Sequence, residues 1–202
     1  VVSGETMNQT HANQTAITDN DVIPGVLEPI HAQVSAQDTN LMIMLDTSAS
    51  MDSPSGIDGL SRLDAAIQAI NNLIDRYDQY GDLAVRIVSF ATEAQAQGDA
   101  WMTASQAKSL LASLHADGST NYDYALSAAQ SAFLTDTGKL GNAQNVAYFL
   151  SDGNPTLSSV FPTAGVSGQS GNLTQANKGD GLDATEESSW TQFLDAHQIK
   201  SY

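Results

Sequence analysis

The chain of 202 residues carries 7 Lys and Arg against 23 Asp and Glu, a formal net charge of −16, with 41% hydrophobic and only 15% charged residues. This length accommodates one domain, or one domain with an appended arm, around a real core. Nucleic acid is excluded as a partner, because phosphate neutralisation needs a Lys/Arg surface and no basic cluster is present. An acidic surplus instead favours solubility and cation binding. The absence of cysteine removes disulfides, Cys-ligated zinc, iron–sulfur clusters and thiol nucleophiles. No apolar run approaches the length of about 18 residues that a membrane span needs, so membrane insertion is not expected.

Residues 1–38 read as a polar N-terminal arm or linker. Val1–Asn20 is Thr/Asn/Gln-rich without periodicity or an apolar signal core. Pro24 and Pro29 then punctuate a short apolar stretch, Val22–Ile30, that could add an edge strand. A domain is expected over 39–202. Leu41-Met-Ile-Met-Leu45 is a continuous apolar run, the mark of a strand buried on both faces. Leu63, Ala66, Ile67, Ile70, Leu73, Ile74 and Tyr77 follow helical spacing and predict an amphipathic helix ended by Gly81. Leu83–Phe90 is a β-branched strand, and Ala94–Met102 a short polar edge strand. Thr103, with Gln106 three residues later, caps a helix carrying Ala107, Leu110, Leu111 and Leu114. Tyr122–Leu134 is a further helix, and Val146–Leu150 a second strand expected to be fully buried. Residues 153–181 are Gly/Ser/Asn-rich and irregular. Asp183 and Glu186 start a last helix with Trp190, Phe193 and Leu194 inward, and Ile199–Tyr202 begins a strand. Strands alternating with helices predict an α/β doubly wound, mainly parallel sheet with helices on both faces.

The chemistry concentrates in three segments. Asp46-Thr-Ser48-Ala-Ser50 follows the first buried strand, and Asp152 of Ser151-Asp152-Gly153 follows the second. In open α/β sheets, ligands bind beyond the carboxyl ends of the strands, where the strand order switches. The loop Asp117-Gly-Ser-Thr120-Asn121 offers a third arm of oxygen donors. Asp46, Ser48, Ser50, Thr120 and Asp152 are therefore the candidate metal ligands. All are hard oxygen donors, which suit Mg²⁺ first, with Mn²⁺ or Ca²⁺ as alternatives, rather than zinc or copper. Neutral hydroxyls leave such an ion electrophilic enough to accept a further anionic ligand. Taken singly, Asp46 and Asp152 would read as turn or capping residues; the convergence of five donors argues otherwise. Asp117 and Asp123 could equally hydrogen-bond a metal-bound water or simply cap and solvate. Residues 178–187 faintly match a calcium loop. His11, His31, His115 and His197 are scattered and read as surface or satisfied side chains. Tyr122 and Tyr124 read as packing residues beside the site.

These residues resemble the von Willebrand factor type A domain with its metal-ion-dependent adhesion site: Asp-x-Ser-x-Ser, a Thr in a Gly-rich loop, and Asp before Gly, in that order. The resemblance covers about residues 40–202. It implies a Rossmann-like fold in which Ser48 and Ser50 contact the metal directly, Thr120 and Asp152 directly or through water, and Asp46 through water. It also implies a C-terminally truncated domain, lacking the rest of the fifth strand, a sixth strand and a final helix. The segment 153–181 is longer and more polar than the family's usual link. Phrases such as Asn40-Leu-Met-Ile-Met-Leu-Asp-Thr-Ser-Ala-Ser-Met51 look like those of large bacterial repeats-in-toxin adhesins.

The expected function is therefore a divalent-cation-dependent adhesion module, extracellular or at the bacterial cell surface, whose metal captures a carboxylate of a partner. The alternatives are a metal-stapled structural spacer, or an intracellular subunit of a chelatase or chaperone-like complex. An enzyme is not expected. A haloacid-dehalogenase-type phosphatase needs a second Asp where Ser48 stands, and neither a Gly-x-Ser-x-Gly elbow nor a phosphate loop ending in Lys-Ser/Thr occurs.

Overall fold

The computed structural model describes residues 36–153, 155–156, 182 and 184–202. The arm before Ala36, including Val22–Ile30, lies outside the described residues, as does most of 153–181. Just ahead of the first strand, the Gln37 amide donates to the Tyr80 carbonyl at 2.7 Å.

Five strands form one sheet in the order β3-β2-β1-β4-β5: β1 Thr39–Asp46, β2 Leu83–Phe90, β3 Ala94–Ala96, β4 Gln144–Leu150 and β5 Ile199–Ser201. The central strand β1 pairs in parallel with β2 on one side and β4 on the other. β5 adds to β4 in parallel, and only β3 runs antiparallel. β1 is buried along its whole length, as its unbroken apolar run predicts. β4 departs from expectation, because Tyr148, Phe149 and Leu150 are only half-buried. The reason lies in the register: β5 pairs with Asn145–Ala147 alone, leaving those three residues with β1 as their strand neighbour.

Side-chain alternation along β1 divides the core in two. Leu41, Ile43 and Leu45 face helices α1 (Arg62–Asp78) and α2 (Ala104–Leu111), and meet Ile70, Ile74, Ala107 and Leu111. Met42 and Met44 face the opposite side, with Ala125, Ala129 and Phe133 of α3 (Tyr122–Phe133). Trp190 and Phe193 of α4 (Ala184–Ala196) pack against that second cluster, Phe193 edge-on to Phe133 at 5.7 Å. Each fully buried Leu, Ile, Met or Phe among them contributes about 1.5–3 kcal/mol. Helices thus cover both faces.

The helix starts follow local chemistry. Thr103 and Gln106 form the anticipated capping box on α2, and Ser61 with Asp64 forms another on α1. α1 ends at Asp78, short of Gly81. Gly81 serves a close approach instead, since a Cβ there would lie 2.6 Å from the Gln37 backbone. Among the described residues, no helix is long and apolar enough to cross a membrane.

Candidate metal centre

β1 leads into α1 on one face of the sheet, whereas the chain reaches β4, on β1's other flank, from α3 on the opposite face. The strand order therefore switches between β1 and β4, and the loops beyond these two strands diverge to leave a crevice. Asp46 is the last residue of β1, and Asp152 lies two residues beyond β4. A 3₁₀ turn, Ala49–Asp52, begins three residues after Asp46, with Ser48 at its N-cap and Ser50 within it.

The side chains and the Ser48 amide form one connected network. Asp46 is fully buried; its Oδ1 accepts the Ser48 amide at 2.8 Å, and its Oδ2 accepts the Ser151 hydroxyl at 2.6 Å. Ser48 Oγ lies 3.1 Å from Ser50 Oγ, and Ser50 donates to Asp152 Oδ1 at 2.9 Å. The two carboxylates are thus linked through two serines: Ser48 by its amide to Asp46 and by its hydroxyl to Ser50, and Ser50 by its hydroxyl to Asp152. Asp152 Oδ2 is held by the guanidinium of Arg62, the first residue of α1.

Thr120 comes to the same end of the sheet on a loop tied to both others. The Asp117 amide donates to the Thr47 carbonyl at 2.8 Å, and the Ala49 amide to the Gly118 carbonyl at 2.9 Å. On the other side, the Thr120 amide donates to Thr156 Oγ1 at 3.0 Å, and the Thr156 amide returns to the Thr120 carbonyl at 2.9 Å. The turn needs Gly118, whose φ is +81° and whose absent Cβ would sit 2.8 Å from Thr92 Oγ1. Thr120 is buried. Asn121 then caps α3, accepting the Tyr124 amide at 3.2 Å.

Three neighbours complete the site. Ser151 was passed over in the sequence because a serine beside an Asp-Gly turn carries no distinguishing pattern; register alone brings it to Asp46. Arg62 carries no local mark either, and its reach across to Asp152 is tertiary. Tyr122, read as a packing residue, does pack, edge-on to Phe149 at 4.9 Å and to Phe90 at 5.9 Å. Its hydroxyl also lies 3.0 Å from Ser151 Oγ and bonds the Gly153 carbonyl. Burial holds the Tyr122 phenol above its ordinary value, so it stays neutral and able to donate. The Asp117 carboxylate accepts the Gly118 amide at 2.7 Å, a turn role; Asp123 is buried at the start of α3. Residues 178–181 and 183, half of the calcium-loop match, lie outside the described residues.

The donor set fits a hard divalent ion. Two carboxylates balance a +2 charge, and the hydroxyls of Ser48, Ser50 and Thr120 add neutral oxygens. Among the described residues no group of three or more His, Asp or Glu converges, which makes zinc-type or multi-carboxylate coordination a poor match.

A sequence profile described as von Willebrand factor type A domain matches residues 41–154. No curated protein matches the sequence. Among solved structures, the chain is similar to the PilB minor pilin from Streptococcus sanguinis, at 18% identity and a TM-score of 0.52, covering 80% of this chain and 46% of that one. It is similar to the pilus adhesin SpaC from Lactobacillus rhamnosus GG, at 16% identity and a TM-score of 0.56, covering 82% and 24%. A third is described as von Willebrand factor type A from Catenulispora acidiphila, at 19% identity and a TM-score of 0.52, covering 82% and 32%. The chain spans less than half the length of each of these neighbours.

Proposed function

Because the chain belongs to the von Willebrand factor type A domain family, we propose that it is a divalent-cation-dependent adhesion module in which Asp46, Ser48, Ser50, Thr120 and Asp152 hold the ion. One observation carries this reading: two carboxylates from different strand ends are linked through Ser48, by its amide and hydroxyl, and the Ser50 hydroxyl at the switch point where such sheets bind ligands. Mg²⁺ fits the set best, with Mn²⁺ or Ca²⁺ able to substitute. When bound, the ion supplies an electrophilic position for a carboxylate of a partner.

The protein's own residues prepare that position. The Ser48 amide and Ser151 hydroxyl fix both oxygens of Asp46, so its orientation requires no further ordering. Loop hydrogen bonds hold Thr120 in place, and Tyr122 supports Ser151 from behind. The pilus proteins among the structural neighbours support an extracellular or cell-surface setting. The phrasing around Asp46 supports a large repeats-in-toxin adhesin as the parent. We read the role as binding rather than catalysis, in keeping with the pilus proteins among the structural neighbours.

Calorimetric titration with Mg²⁺ and Mn²⁺ tests the site: one ion per chain is expected for the wild type and none for Asp46→Ala. Equal binding by both would refute the assignment. Acetate, as a carboxylate probe, should alter the electron paramagnetic resonance spectrum of the Mn²⁺-loaded protein. An unchanged spectrum would point to a closed structural staple.

A further inference from the structure

Arg62 is the one cationic side chain bonded to a site carboxylate among the described residues. We propose that it is a tethered rival of the divalent ion for Asp152, and so sets how tightly the site holds its cation. The inference rests on the cation reading above.

Its position is electrostatically unfavourable for any other purpose. Arg62 is the first residue of α1, where the helix dipole disfavours positive charge, and Asp64 already answers the dipole and the capping needs of that end. Three other cations among the described residues are engaged elsewhere. Arg86 donates to the Gln97 and Ala100 carbonyls, Lys108 pairs with Asp75, and Lys139 lies over the Phe133 ring. Among the described residues, Arg62 is the one paired with Asp152.

The pair is unequal in freedom. The Arg62 side chain is 42% exposed, whereas that of Asp152 is 10% exposed and is tied to Ser50 through its other oxygen. The arm can swing into solvent while the carboxylate stays. Charge counting gives the consequence. Asp46 and Asp152 together carry −2, which a divalent ion neutralises; with Arg62 still in place the site would stand at +1. A unit charge about 6 Å from a divalent ion in a water-like dielectric lowers affinity about tenfold. Arg62 thereby acts as a counter-ion that keeps Asp152 paired without the metal, and yields as the metal enters.

The test is calorimetric titration of Mg²⁺ alone into the wild type, Arg62→Gln and Asp46→Ala. Arg62→Gln should bind Mg²⁺ about tenfold more tightly while melting at a lower temperature in chelator, a pair of opposite signs that a merely structural arginine would not produce. Unchanged or weaker Mg²⁺ binding by Arg62→Gln would overturn the proposal. Should the wild type and Asp46→Ala fail to differ, the cation reading itself falls instead. A second measurement needs no variant: the Arg62 Nε–H resonance in the wild type should shift as Mg²⁺ saturates the protein, and a resonance that stays fixed through saturation would also overturn the proposal.

Discussion

Ser151→Ala isolates what holds the first aspartate in place. Asp46 is fully buried, and two donors reach its side chain, the Ser48 amide at 2.8 Å and the Ser151 hydroxyl at 2.6 Å. Removing the hydroxyl leaves Oδ2 of a buried carboxylate without that donor, and hydrogen bonds to charged groups contribute about 1.5–3 kcal/mol. With a urea slope of about 2 kcal/mol/M, the unfolding midpoint should fall by about 0.8–1.5 M. For a domain of this size the melting temperature should drop by about 3–12 °C. The assay is urea unfolding followed by circular dichroism at neutral pH in chelator. Ser131→Ala serves as control, because that hydroxyl bonds only the Ser127 carbonyl on an exposed helix face. In excess Mg²⁺ the deficit should shrink, since an ion at the site offers Asp46 a new electrostatic partner. A Ser151→Ala variant within about 0.5 kcal/mol of the wild type in chelator, the ordinary range for surface changes, would refute the argument that Ser151 anchors Asp46.

Two further predictions concern the scaffold. Gly138 has a φ of +79°, and a Cβ there would sit 2.5 Å from the Trp101 carbonyl oxygen. Gly138→Ala should therefore lose more than the roughly 1–2 kcal/mol of left-handed strain alone, whereas Gly141→Ala, with nothing within 4 Å, should be near neutral; equal melting temperatures would contradict this. The Tyr77 phenol is raised well above its ordinary value, first by burial and then by the Tyr148 hydroxyl 3.4 Å away. A raised folded value means that its contribution is present below the unfolded value of about 10 and lost as pH climbs past it. Tyr77→Phe should flatten the alkaline loss of stability, and denaturation curves that fall in parallel for both proteins would disprove the assignment.

Period and punctuation in the sequence determined the alternating strands and helices, because side-chain direction follows backbone geometry within a few residues. Thr103 and Gln106 announce α2 for that reason, and the unbroken Leu41–Leu45 run announces a strand covered on both faces. The three oxygen-bearing segments were legible too, since Asp, Ser and Thr at strand ends are local facts. Their convergence depends on strand order. With β1 between β2 and β4, the ends of β1 and β4 become neighbours, and Asp46 and Asp152, 106 positions apart by their numbers, come to be linked through Ser48 and Ser50. Register decided what composition could not. The short pairing of β5 leaves Tyr148–Leu150 half-buried, although their apolar run matches that of a fully enclosed strand. Ser151 and Arg62 belong to this second class. Nothing within a few residues of either marks it as a neighbour of a carboxylate, because the contacts that define their roles span 105 and 90 residues of chain. Only the folded sheet, which sets β4 beside β1 and starts α1 over their carboxyl ends, brings those groups within hydrogen-bonding distance.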